Sequence, residues 1–175
     1  MAYSPIGDYG IIGNGVTTAL VRRDGAIDWL CLPHQDSPSV FAALLDEGRG
    51  GRFAVLPDGA VDTAQSYLSG TNVLRSRLRT GEGEAELIDF MPVGRTAEAA
   101  SANRGCLLRR LHVYRGQLDF HIECRARFDY GRVQPVWRPE PSGRVRIEAG
   151  QQCLHLECSR PVAWGDEEAR LTLRA

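Results

Sequence analysis

Three groups of residues in this chain carry side chains able to do chemistry. The loop His34-Gln35-Asp36-Ser37 sets a ring that titrates near neutral pH beside an amide and a carboxylate, a set suited to hydrogen-bonding a hydroxylated ligand or a neighbouring domain. Asp36 and Ser37 are equally helix-capping types, and Pro38 after them suits a first helical turn. Trp29, Trp137 and Trp164 offer indoles on which sugar rings stack. Trp29 is hemmed in by Ile27, Leu30 and Cys31, which predicts core packing. Trp137 lies among Pro135, Pro139 and Pro141, on an exposed loop or edge, and is the aromatic candidate for sugar or domain contact; closing the rim of a core is its structural alternative. The third group is Cys153, His155 and Cys158. In a strand the first two share a face and the third falls opposite, and no Cys-x-x-Cys pair exists, so no metal is expected. Gly13-Asn14-Gly15 and Gly81-Glu82-Gly83 lack the continuation of a phosphate loop, so neither a nucleotide nor any other cofactor is expected.

The elements that position these residues follow from two-residue alternation. Leu118, Phe120, Ile122 and Cys124 share one strand face, with Asp119, His121 and Glu123 on the other. The same split recurs around Leu74 and Leu78, Val145 and Ile147, Leu154 and Leu156, and Leu171 and Leu173. Gly81-Glu82-Gly83, Arg115-Gly116, Ser142-Gly143 and Gly150-Gln151 read as hairpin connections. Asp24-Gly25 reads as a two-residue turn with both residues at positive φ, joining arms over Thr18 to Arg22 and Ala26 to Leu32. After Pro33 and the polar loop, a short apolar helix is predicted over Ser39 to Leu45. Residues 94 to 105 read as a surface loop or weak helix. The whole predicts an all-β chain, an antiparallel β-sandwich with one short helix after the first hairpin.

Length and charge bound the function. A chain of 175 residues fits one domain, here 1–175, with a sizeable core. The formal net charge of -1 gives no electrostatic reason to expect nucleic acid or anionic lipid as a partner. No apolar run is long enough to span a bilayer, and Met-Ala-Tyr-Ser-Pro lacks the basic and apolar parts of a secretion signal, which predicts a cytoplasmic chain. An odd count of 5 cysteines agrees with reduced thiols there. All 21 basic residues are arginine, as coding bias in a GC-rich bacterial genome would produce.

Several separated strings identify a resemblance. Gly7-Asp8-Tyr9-Gly10, Asp24-Gly25-Ala26-Ile27-Asp28-Trp29, Gly50-Gly51-Arg52, Tyr67, Thr71-Asn72-Val73-Leu74, Asp89-Phe90-Met91-Pro92 and Arg127-Phe128-Asp129-Tyr130-Gly131 together resemble the N-terminal domain of bacterial glycoside hydrolase family 15. That family includes glucoamylase-like, glucodextranase-like and trehalase-like enzymes. The resemblance implies a super-β-sandwich domain that accompanies a catalytic (α/α)6 barrel in the same polypeptide. It also implies an inverting reaction on α-glucosidic bonds of glucans or trehalose.

Both catalytic glutamates of the family belong to the barrel, to which no part of this chain corresponds. No catalytic residue is therefore assigned here, and Glu84 and Glu86 read as solvated strand face. If the His34 loop faces that barrel, Asp36 would bond a sugar hydroxyl or a barrel residue, with helix capping as the alternative. Family members commonly show Arg-Phe at His34-Gln35, so contacts made there would differ. Arg127 and Asp129 read as a structural arginine–carboxylate pair. Leu171-Thr172-Leu173-Arg174-Ala175 stops in mid-alternation, the expectation for a chain cut at a sheet edge. Two other readings stay open: an autonomous carbohydrate-binding sandwich, and an interaction domain for a separately encoded catalytic chain.

Overall fold

A computed structural model describes residues 3–94, 96, 98, 101, 105–141, 143–165 and 167–175. The strands are β1 (Tyr9–Gly13), β2 (Thr18–Arg22), β3 (Ile27–Cys31), β4 (Ser39–Phe41), β5 (Arg52–Pro57), β6 (Asp62–Tyr67) and β7 (Leu74–Arg79). They continue as β8 (Gly83–Phe90), β9 (Leu108–Arg125), β10 (Val136–Pro139), β11 (Val145–Ala149), β12 (Gln152–Leu156) and β13 (Glu168–Arg174). Between β9 and β10 lies a helical turn, α1 (Phe128–Gly131). The all-β expectation holds, and every pairing between named strands is antiparallel.

The largest sheet runs β1-β2-β3-β5-β9-β8-β7-β6, with β13 on β9 and β4 on β3. Strand β9 organises it. Its first half pairs with β8, from Leu108 to Gly116, and its second half pairs with β5 on one edge and β13 on the other. One 18-residue strand thereby joins the two halves of this sheet. The two ends of the sheet meet through side chains rather than a ladder. Tyr67 Oη accepts from the Ile11 amide at 2.8 Å and donates to its carbonyl at 2.9 Å; Asn72 Nδ2 donates to the Gly13 carbonyl at 3.1 Å. The small sheet β10-β11-β12 packs Val145, Ile147 and Ala149 into the same apolar cluster as Ile12, Val21 and Phe128. A second cluster, around Leu78, Leu87, Leu118 and Phe120, fills the other end.

The predicted alternation is visible in the burial, with an exception that has a cause. Leu118, Phe120, Ile122 and Cys124 are buried, yet so is Glu123 on the opposite face. Arg52 Nε meets its carboxylate at 2.7 Å and Arg125 Nε at 3.3 Å, so the buried charge is paired.

Four local expectations are corrected. No helix forms over Ser39 to Leu45: Ser39, Val40 and Phe41 are all buried as β4, and Ala42 and Ala43 then donate to the carbonyls of Gly50 and Gly51. A short apolar run carries no period that separates strand from helix, and pairing to β3 decided it. The first hairpin has three loop residues, not two. Gly25 donates to the Arg22 carbonyl and Arg22 to the Ala26 carbonyl, so only Gly25 takes positive φ, at 94°, and Asp24 instead accepts from the Ala26 amide. Arg115-Gly116 is no hairpin; β9 runs through it with a register shift that leaves Tyr114 unpaired opposite Glu84 and Ala85. Arg127 pairs with Glu167, at 2.6 and 2.9 Å, and not with Asp129. Most of the loop expected over 94 to 105, and Ser142 of a predicted turn, lie outside the described residues.

The Gly50-Gly51 string is a close-approach site. A Cβ on Gly51, already at φ 70°, would lie 2.1 Å from the Arg125 carbonyl oxygen, so only glycine lets this segment enter beside β9. Deeper in, Arg109 is 5% and Asp89 0% exposed. Arg109 Nε and Nη2 reach the two carboxylate oxygens at 2.8 and 3.1 Å, Nη1 donates to the Phe53 carbonyl at 2.8 Å, and Nη2 also donates to the Gly25 carbonyl. The guanidinium lies 4.7 Å from the centre of the Phe53 ring. Arg109→Ala strands a buried carboxylate and is expected to lower the unfolding free energy by about 3–5 kcal/mol in urea titrations, with Arg109→Met/Asp89→Leu recovering most of it. A loss under about 1 kcal/mol for Arg109→Ala would show that the pair does not anchor the sheet.

Candidate functional site

Two concavities carry the candidate residues. The first is an open depression of about 460 Å³ lined by Gly15, Val16, His34, Gln35 and Asp36. It forms where the β1–β2 turn meets the chain leaving β3, beyond a cis Leu32–Pro33 peptide. Asn14 Oδ1 accepts from the amides of Val16 and Thr17 at 3.0 and 3.1 Å and fixes the turn. Gln35 donates its amide to the Val16 carbonyl at 3.0 Å, and Thr18 Oγ1 donates to Gln35 Oε1 at 2.7 Å. Ser37 caps this loop rather than a helix, its Oγ accepting from the His34 amide at 3.1 Å. Gln35 and Asp36 are exposed and His34 half-buried, so the three predicted residues come together on one face.

The second concavity, about 350 Å³, is lined by Trp137, Pro139, Trp164 and Glu167. The indole centroids lie 5.9 Å apart at 45°. Trp137 is therefore half-buried against the core and also faces a cleft. The sequence offers Trp164 as an indole without placing it beside Trp137, and it does not single out Glu167. These two lie 27 and 30 positions along the chain from Trp137, and no local pattern signals such a meeting. Trp29 is half-buried, with its ring centroid 6.3 Å from that of Tyr130.

The other chemical groups are accounted for by local partners. Glu84 is held by Arg115 at 2.8 Å and Arg79 at 3.4 Å, and the hydrogen bond from Arg115 lowers its pKa, the wrong direction for a general acid. Glu86 lies 3.9 Å from His112. Both carboxylates are half-buried beside these partners, so neither is the freely solvated residue the strand pattern suggests. Cys153 Sγ and His155 Nε2 do share a face, 3.7 Å apart, and no group of three or more metal-binding side chains occurs among the described residues. Cys124 is buried, which pushes its thiol up to about 12.

A family model described as trehalase-like, N-terminal, matches residues 2–171. The chain belongs to this family. It is 33% identical to a trehalase of Mycolicibacterium smegmatis over 173 residues, 91% of this chain and 25% of that protein. To trehalase 1 of Sulfolobus acidocaldarius it is 35% identical over 155 residues, 87% of this chain and 25% of that one. A trehalase of Mycobacterium tuberculosis is 30% identical over 148 residues, 77% and 22% of the two chains. The chain thus spans about a quarter of the length of the curated relatives it matches. No solved structure matches it.

The strings that carry the resemblance occupy structural positions in this trehalase-like domain. Asp89 and Gly25 meet Arg109, Tyr67 and Asn72 close the sheet, and Gly51 admits its segment beside β9. Tyr9 and Asp28 form one more such unit. Asp28 is 2% exposed; Tyr9 Oη donates to its Oδ2 at 2.9 Å, Arg22 Nη1 stands 3.5 Å away, and Oδ1 has no partner among the described residues. Burial raises the Asp28 pKa against the opposing pull of Arg22 and Tyr9, and burial together with Asp28 pushes Tyr9 up to about 12.

Because Asp28 binds its proton more tightly folded than unfolded, its contribution to stability falls as pH rises from the ordinary carboxylate value of about 3.9 through the raised folded value. Asp28→Asn removes that dependence. The variant's urea midpoint, measured against the parent's, is expected to climb between about pH 4 and pH 7, and a difference constant with pH would contradict the assignment.

Proposed function

We propose that this chain is the non-catalytic N-terminal domain of an inverting α-glucoside hydrolase of trehalase type. In this reading the His34–Asp36 depression faces a helical catalytic barrel in the same polypeptide and helps to shape the mouth of its active site. The observation that carries the proposal is the match of the trehalase-like N-terminal model to nearly the whole chain, which itself spans only a quarter of the trehalases it resembles.

The carboxylates support it. Inversion needs one carboxyl to protonate the leaving oxygen and another to activate water, about 6.5–9.5 Å apart across a cleft. Asp28 has the raised pKa of an acid, but at 2% exposure it lines neither concavity and cannot reach a substrate. Asp89 is committed to Arg109 and Glu123 to Arg52. In the second concavity both oxygens of Glu167 are engaged by Arg127. The acid and base therefore come from the barrel, while Asp36 and Gln35, exposed beside His34, supply hydrogen bonds toward it. Trehalose is the substrate this reading favours, since the relatives carry that name.

The isolated 175-residue chain is expected to release no glucose from trehalose or maltose. In the polypeptide that joins it to its barrel, His34→Ala/Asp36→Ala should lower kcat/KM for trehalose by about tenfold at an unchanged unfolding midpoint, and Glu84→Gln/Glu86→Gln should leave it within about twofold. Glucose release by the chain alone, or full activity of the loop variant, would refute the proposal.

A further inference from the structure

The cleft between Trp137 and Trp164 collects two features that core packing does not require. First, the two indoles and Pro139 line a space of about 350 Å³, large enough for a single sugar ring. Second, Glu167 adopts a left-handed backbone, φ 74°, that a non-glycine residue enters at a cost. That conformation sets its carboxylate at the cleft, where Arg127 grips both oxygens at 2.6 and 2.9 Å.

The chemistry of this set selects an occupant. Tryptophans beside a bare carboxylate would suit an organic cation, but Arg127 already neutralises Glu167. The cleft is thus close to neutral, and the clamped carboxylate keeps lone pairs free to accept from hydroxyls. A ligand that fits has an apolar face for the indoles and hydroxyl hydrogens for Glu167. We propose that the Trp137–Trp164–Glu167 cleft is a binding site for a neutral pyranoside such as a glucosyl unit, separate from the His34–Asp36 depression. Arg127 positions the carboxylate and holds its charge in balance. The site does not depend on the partner barrel, because every group named belongs to this chain.

The test is calorimetric titration of the chain with maltose, trehalose and methyl glucoside, with choline as the cationic control, alongside NMR of the indole N–H signals. Saturable sugar binding with a Kd on the order of 1 mM is expected, with the Trp137 and Trp164 indole signals shifting and Trp29 still. Trp137→Ala and Trp164→Phe should each weaken binding by about tenfold, read only in variants whose unfolding midpoint stays close to the parent's. Flat titrations with unmoved indole signals up to about 50 mM sugar would overturn the proposal. So would choline binding more tightly than any sugar, or binding that survives both tryptophan substitutions.

Discussion

The Arg109–Asp89 pair is the constraint on which the two halves of the largest sheet depend. A guanidinium 5% exposed must find its partners within the chain, and here its hydrogen bonds reach three separate parts of it. Asp89 lies beside Arg109 in the β8–β9 ladder, the Phe53 carbonyl lies on β5, and the Gly25 carbonyl belongs to the first hairpin turn. One side chain on β9 therefore ties together segments that the backbone ladder leaves nearly unconnected, since β3 and β5 share a single register pair. Apolar burial supplies the larger driving force, but it is non-directional; the charged pair fixes which turn sits against which strand.

Closure of the largest sheet obeys the same logic. Between its two terminal strands the described backbone makes no ladder, and Tyr67 and Asn72 satisfy main-chain groups of β1 that would otherwise form an open edge. Gln65 adds contacts to the carbonyls of Val21 and Arg22. A seam made of side chains demands particular residue types at those positions. A seam made of backbone would accept almost any. That is why a scaffold can carry strings as distinctive as those of an active site.

Function in such a scaffold lies in what the strands leave exposed. The His34–Asp36 loop and the Trp137–Trp164 cleft are both built where segments distant in sequence meet, one between the β1–β2 turn and the exit of β3, the other between β10 and the segment leading to β13. Each has a rigid backing: Gln35 is tied to Val16 and Thr18, and Glu167 is tied to Arg127. Neither concavity presents a pair of opposed, unpaired carboxylates among the described residues.

Sequence by itself determined the all-β class, the wet and dry faces of β7, β9, β11 and β13, and the family, because period-two alternation and residue-specific strings are local properties that survive without coordinates. It also placed His34, Gln35 and Asp36 together, since three neighbours in one loop share a surface. What only the tertiary structure decided was long-range. Ser39 to Phe41 became a strand because β3 offered a ladder and the core closed on both of its faces. Arg115-Gly116 passed through because β8 continues alongside, and Arg127 chose Glu167, 40 residues away, over Asp129, two residues away. The physical reason is common to all three: where two local conformations differ by little, the partner that arrives from elsewhere in the chain sets the balance, and a sequence read in windows cannot name that partner.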